Sequence, residues 1–374
     1  MIRKIGLSLL LILSVFVLGV IGFIRFSPQF GAPPKTEEHD RIRNSSNYEG
    51  GQFVNQVETR MEMGFSKMLA AIREYRDARN ITPKDSLPVR FSEQPVTLRS
   101  MDADTSVFVT WFGHSAVLVE LEGKRILLDP MLGEASSPLP FISTRFPYQE
   151  PIDMAQFTDI DAVVISHDHY DHLDYPTILQ IQDDVGHFFT ALGVGSHLKS
   201  WGVPEEKITE LDWWESAELD NLTFTATPNR HFSGRGLTDR NKTQWASWVL
   251  TGEHNNLFFS GDGGYAGHFK EIGEAYGPFD LTMIECGQYN EKWSEIHMMP
   301  EQSVQAHLDL KGTLMMPIHW GAFNLAIHSW TDPVLRAKAE AEKHDVSITH
   351  PYIGERFRLG DPVPVVDWWE EDAR

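Results

Sequence analysis

Residues 161–174 read DAVVISHDHYDHLD. The first six are mostly β-branched or small and apolar, which predicts a buried strand. The strand runs straight into His167, His169, Asp171 and His172, spaced H-x-H-x-D-H. Neutral imidazole and carboxylate suit a divalent cation of borderline softness such as zinc. Ligands packed this tightly on one loop can reach two adjacent ions.

Two ions need further donors, and these occur in similar settings. LTFTATPNRHFSG (222–234) places His231 just past a strand-like run. NLFFSGDGGY (256–265) places Asp262 after LFFS, among glycines that let backbone approach closely. TLMMPIHWGAF (313–323) places His319 after another apolar run. Each donor is expected at a strand end, where side chains are held rigidly and loops are free to vary. Upstream, SVFVTWFG, SAVLVELEG and KRILLDP are short β-type runs separated by glycines and predict a meander.

The ordered set HDHYDHLD, NRHFSGRG, SGDGGY and PIHWGAF resembles the metallo-β-lactamase superfamily. Within it, the set is similar to the branch containing N-acylphosphatidylethanolamine-hydrolysing phospholipase D and its bacterial relatives. TWFGHSAVLVE (110–120), LLDP (127–130) and HMMPEQSVQAHLDL (297–310) extend the likeness, which covers about residues 95–360. The resemblance implies an α+β fold, a four-layer αβ/βα sandwich with two zinc ions at one edge. It assigns His167, His169 and His231 to one ion and Asp171, His172 and His319 to the other. Asp262 bridges them, and Asp129 orients a ligand histidine from outside. Asp171 and Asp262 are the expected catalytic carboxylates, Asp171 steering the attacking hydroxide. His297 is expected to line the substrate site. His114 is weighed between a place at the site edge and a structural role beneath a ligand loop. His307 is expected to be structural, and Cys286 a small buried apolar residue.

Residues 5–24, IGLSLLLILSVFVLGVIGFI, are 20 uncharged residues without proline. At 1.5 Å per residue they can span a hydrocarbon core of roughly 30 Å. An uncleaved membrane anchor is expected; a cleaved signal peptide is the rival. Arg3 and Lys4 before the stretch and Arg25 after it place the bulk of the chain across the membrane. In a bacterium that means the periplasmic side of the inner membrane. Residues 26–53 are expected to be a linker and 54–94 a helical extension, with a helix over 54–79 and a strand-like run at 89–99. The hydrolase domain is expected over 95–374.

The chain has 374 residues, 32 Lys plus Arg against 53 Asp plus Glu, and a net charge of −21. That excludes a general nucleic-acid binder, which needs a basic surface. A single cysteine excludes a disulfide framework and multi-cysteine metal sites. No serine-elbow or cysteine-nucleophile motif is present. The family resemblance and the anchor together imply a phospholipase D-type phosphodiesterase releasing N-acylethanolamine and phosphatidic acid. The substrate is a phospholipid, and a homodimer follows by analogy. A lactonase or another phosphodiesterase of the same fold is the enzymatic alternative. A metal-stabilised envelope scaffold is the non-enzymatic one. The tryptophans at 213, 214, 245 and 248 and the loop at 136–149 are weighed between an acyl-chain lip and ordinary core.

Overall fold

A computed structural model describes residues 2–34, 40–60, 73–75, 78, 81–91 and 105–373. The strand-forming runs build two sheets. The first contains β3 (Val107–Trp111), β4 (Val117–Leu121), β5 (Lys124–Leu128), β6 (Ile160–Ile165), β7 (Val185–Ala191), β8 (Ile208–Leu211) and β15 (Arg356–Arg358). Their order is β15-β3-β4-β5-β6-β7-β8. The second contains β9 (Ser216–Leu219), β10 (Leu222–Thr227), β11 (Ser247–Thr251), β12 (Asn256–Phe259), β13 (Phe279–Glu285) and β14 (Gly312–Ile318), ordered β14-β13-β12-β11-β10-β9.

Each sheet joins an antiparallel meander to a parallel half. β3, β4 and β5 pair antiparallel, whereas β5 through β8 pair parallel. The second sheet repeats this, with β9 to β12 antiparallel and β12 to β14 parallel. Parallel neighbours need crossovers, and helices supply them. α3 (Tyr175–Ile181) links β6 to β7, and α4 (Gly195–Ser200) lies between β7 and β8. α5 (His268–Ala275) links β12 to β13, α6 (Pro300–Asp309) links β13 to β14, and α7 (Asp332–Lys343) follows β14.

The period-2 pattern of the second sheet shows the layering. Trp248, Leu250, Leu257, Phe259, Leu281, Met283, Leu314 and Met316 enter the central core between the sheets. Val249, Phe258, Ile284 and Met315 point the other way, into a cluster with Phe269, Ile272, Val304 and Ala306 of the helices. Across the centre, Phe189 of β7 stacks on Phe224 of β10 with centroids 4.2 Å apart. This is the expected sandwich. Trp245 and Trp248 are core residues. Trp213 is buried, donating its indole N–H to the Trp245 carbonyl, so these three form no lip.

Before residue 95 the chain keeps the expected apolar helix but otherwise differs from expectation. α1 (Ile2–Phe26) contains a stretch, Ser8–Phe26, long and apolar enough to cross a membrane, and none of it is buried. Beyond it, residues 28–53 are not a bare linker. α2 (Asp40–Asn44) is followed by a two-stranded hairpin, β1 (Tyr48–Glu49) and β2 (Gln52–Phe53). Ile42 and Phe53 are buried in the main core, and Phe53 N–H donates to the Asn241 carbonyl at 2.8 Å. Short strands with little periodicity become stable here through tertiary packing. Residues 54–60 are irregular where a helix was expected. Residues 73–75 are helical, and 61–72 of that expected helix lie outside the described residues. Of the run at 89–99, Val89 bridges to Ile353, and 92–99 lie outside the described residues. The hydrolase body therefore begins before residue 95, since Leu87 is buried in its core and bridges to Tyr148.

Candidate metal centre

β5 and β6 are parallel neighbours, so their C-terminal ends deliver Asp129 and the 166–172 loop side by side. Asp129 organises the loop. Its Oδ1 accepts Ser166 N–H at 2.7 Å, and its Oδ2 accepts Ser166 Oγ–H and His172 Nδ1–H, the latter at 2.6 Å. A ring that donates from Nδ1 turns the Nε2 lone pair inward. The same logic orients two more rings. His167 Nδ1 lies 2.9 Å from Ser166 Oγ, whose own proton goes to Asp129. His231 Nδ1 donates to the Ile296 carbonyl at 2.9 Å.

The inward nitrogens then face one another. His167 Nε2 lies 2.8 Å from His169 Nδ1, and His231 Nε2 lies 3.3 Å from the same atom. Burial first, then the neighbouring imidazoles, hold His167 and His231 well below the usual imidazole range; burial lowers His169 as well. Three neutral rings thus converge their donor atoms within 4.8 Å.

A second cluster adjoins the first. Donor atoms of His114, Asp171, His172 and His319 lie within 4.8 Å of one another. Asp262 sits between its members, with Oδ2 3.0 Å from His172 Nε2 and Oδ1 3.0 Å from His319 Nδ1. Among the described residues, buried His172 Nε2, His319 Nε2 and Asp262 Oδ1 make no hydrogen bond despite these close approaches. Lone pairs aimed at each other without shared protons, together with orphaned buried donors, are what a cation site requires. The residues fit divalent metal.

His114, His319 and Asp129 adopt left-handed backbone, with φ of 53°, 68° and 38°. Non-glycine residues rarely do so, and such strain concentrates where surrounding structure fixes side chains. His114 and His319 brace each other: His319 N–H donates to the His114 carbonyl, and His114 N–H to that of Trp320. Gly263 illustrates the close packing, since a Cβ there would lie 1.8 Å from Asn229 Oδ1.

The structure brings the sequence-predicted donors His167, His169, Asp171, His172, His231, Asp262 and His319 together, with Asp129 behind them. His297 lines a 290 Å³ pocket over the centre, together with Phe232, Trp293, Ile296 and Leu325. His114 is corrected as a substrate contact. It is fully buried and lines no part of the pocket: its Nε2 holds Asp171 Oδ2 at 2.9 Å and its ring packs on that of His319 with centroids 4.1 Å apart, so it stands behind both of these residues. His307 is structural as expected, its Nδ1 2.7 Å from Thr282 Oγ1, and Cys286 is buried.

Sequence reading misses several partners. Asn55 clamps the His231 backbone from both sides, donating to its carbonyl at 2.8 Å and accepting its N–H at 3.1 Å. Ser115 Oγ lies 3.2 Å from His319 Nδ1. Glu285 accepts Gly263 N–H and Met298 N–H on Oε1 and meets His297 Nδ1 at 2.9 Å with Oε2. Burial pushes its carboxyl up to about 7, against the pull of His297. The one available signal was that Glu285 ends a strand-like run, as the metal donors do.

Comparison with known proteins agrees with this geometry. Residues 124–320 match the Beta-lactamase superfamily domain. An uncharacterized protein of Mycobacterium tuberculosis is 42% identical over 329 residues, 87% of this chain and 87% of that one. N-acyl-phosphatidylethanolamine-hydrolyzing phospholipase D 1 of Caenorhabditis elegans is 33% identical over 240 residues, 61% of this chain and 67% of the relative. The structure of Igni18, a metallo hydrolase of Ignicoccus hospitalis, shares the fold with a TM-score of 0.52 at 22% identity, over 68% of this chain and 98% of that one. With its donors gathered at the ends of two mixed sheets, the chain belongs to the metallo-β-lactamase superfamily of hydrolases and resembles the N-acylphosphatidylethanolamine-hydrolysing phospholipases D.

Proposed function

We propose that the protein is a membrane-anchored zinc hydrolase that cleaves N-acylphosphatidylethanolamine to N-acylethanolamine and phosphatidic acid. The observation that carries this is a three-histidine cluster adjoining a His/Asp cluster against which Asp262 lies, beneath an open, apolar-rimmed pocket. His167, His169 and His231 would hold one zinc ion. Asp171, His172 and His319 would hold a second, with Asp262 common to both. Bound there, the ions would lower the pKa of a water and supply Lewis acidity toward a phosphoryl oxygen.

The chain's own groups do the rest. Phe232, Trp293, Ile296 and Leu325 offer apolar surface to acyl chains at the pocket wall. Asp171, fixed by His114, accepts a proton from the attacking water. Water adds to phosphorus and the bond to the ethanolamide oxygen breaks. His297, whose Nδ1 is engaged by Glu285, stands at the pocket with its other nitrogen free to protonate the departing oxygen. The anchor would hold the site at the lipid source, and the excess of positive charge before the helix over that after it supports a body outside the inner membrane.

The test is a substrate panel offered to the full chain in detergent micelles: N-acylphosphatidylethanolamine, ordinary phospholipids, homoserine lactones and bis-p-nitrophenyl phosphate. Chelator-sensitive release of N-acylethanolamine is expected. Turnover of lactones alone would overturn the phosphodiesterase reading, and no turnover of any of them would favour a scaffold.

A further inference from the structure

A second cavity lies apart from the metal centre. It measures about 660 Å³ and its walls include Gln29, Pro140, Tyr148, Tyr175, Gln180 and Arg235. None of its lining residues lines the pocket over the metal donors.

Its rim collects exposed apolar side chains. From Phe26 onward, the three most exposed large apolar residues among those described are Phe26 (84%), Leu237 (82%) and Phe141 (74%). Each stands within three residues of a cavity-lining position, namely Gln29, Arg235 and Pro140. Ile142 and Leu179, also exposed, lie two residues from Pro140 and one from Gln180. Scattered surface leucines need no explanation, but apolar residues grouped around one opening mark an interaction surface.

The groups that carry this rim are braced. Arg145 donates to the Gly133 and Met131 carbonyls and to Tyr148 Oη. Ser136 N–H donates to the Ser143 carbonyl, and Ile142 N–H to that of Leu139. The loop therefore presents Phe141 from a fixed base rather than as a loose end.

What covers the rim follows from where α1 ends. The segment after α1 is fastened to the same face. Trp201 Nε1–H donates to the Pro28 carbonyl at 2.7 Å, and Arg235 donates to the Gln29 carbonyl from Nε and an Nη at 3.1 and 2.7 Å. Phe30 packs edge-on to Phe23 within α1 and to Tyr170 of the metal loop. Gln29 is three residue steps from Phe26, which at full extension span at most about 11 Å. If α1 crosses a bilayer, the cavity rim cannot stand far from its surface.

We infer that this face is a membrane-docking surface: Phe141, Ile142 and Leu237 insert at the headgroup level of the bilayer that α1 spans, and the cavity opens into it. The inference rests on α1 being a membrane span, as in the proposed function. The occupant is a zwitterionic phospholipid surface. A chain of net charge −21 is repelled by anionic lipid, and Arg145 and Arg235 already spend their donors inside the protein. The second contact fixes how the domain is tilted on its anchor, which a single helix does not do.

The experiment uses the full chain in phosphatidylcholine vesicles. Cys286 is the only cysteine and is buried, so F141C and L237C can each carry one thiol-reactive, environment-sensitive fluorophore. Lipids spin-labelled near the headgroup or near the chain end report depth. Labels at 141 and 237 should be quenched strongly by the shallow lipid and weakly by the deep one. A label at L335C, on α7 and not among the cavity-lining residues, should be quenched by neither. Absence of quenching at 141 and 237 overturns the docking surface. So does energy transfer between labels at 141 on two copies without lipid quenching, which would assign the face to a second copy of the chain. L11C reports the anchor separately: deep quenching there upholds the span even if docking fails, and its absence removes the span itself.

Discussion

Two sets of buried histidines invite comparison. At the metal centre, His167, His169 and His231 turn nitrogens toward one another at 2.8 and 3.3 Å. In the body, His307 meets the Thr282 hydroxyl at 2.7 Å, and His268 lies against the Phe269 ring with centroids 4.1 Å apart. Burial is the same in both sets and lowers the imidazole pKa in both. What differs is the partner. His307 is satisfied by a hydroxyl, and His268 lies on an aromatic face with no second imidazole turned toward its ring nitrogens among the described residues. A site histidine is tied from outside by Asp129, Ser166 or Ile296, leaving its inner nitrogen for something else. Mutual facing, not burial, is therefore the mark of the functional set.

The comparison breaks most visibly at Asp262. D262N removes the carboxylate that lies against His172 and His319 and should lower turnover by at least about 10²-fold. The circular dichroism and elution volume should stay those of the parent. Retained activity in a poorly folded preparation would reverse the assignment of Asp262 from chemistry to structure.

Metal removal comes next. A metal held at a thousandfold excess over its Kd contributes about 4 kcal/mol to stability. Chelation should therefore lower Tm by several degrees, and the same shift should persist in H307Q. A chelator-independent Tm would place the site histidines with the core set. D129N should then weaken metal affinity about 10–100-fold by releasing His172 and Ser166, with activity returning at high added zinc. T282V, which frees His307 in the same way, should leave metal affinity untouched.

The smallest effect is in the core. Burial holds His307 at about 4, below its unfolded value of 6.5. The folded state resists protonation, so this contribution is complete above pH 6.5 and is lost as pH falls toward 4. H307Q should flatten part of the acid slope of Tm against pH between those values. An unchanged slope would show that His307 is not held neutral.

Much of this centre was legible in the sequence because its donors end strands, and apolar runs broken by glycine mark strand ends. The 167–172 loop, His231, Asp262 and His319 each follow such a run. The outer partners were less legible, because they are neighbours only in space. Asn55 stands 176 residues from His231, and no local pattern distinguishes it from a turn asparagine. His114 carried a motif, but a motif does not say which side of Asp171 the ring approaches. The 28–53 segment looked like linker because strands of two residues have no periodicity. Its order comes from Ile42 and Phe53 entering a core built elsewhere.

The most direct test counts the metal. The account predicts about two zinc equivalents in the full chain, measured by elemental analysis. H169A should lose the ion of the three-histidine cluster and keep the other, and H319A should lose the ion of the mixed cluster and keep the first. One equivalent in the parent, abolished alike by both substitutions, would contradict two adjoining sites and leave a single shared one.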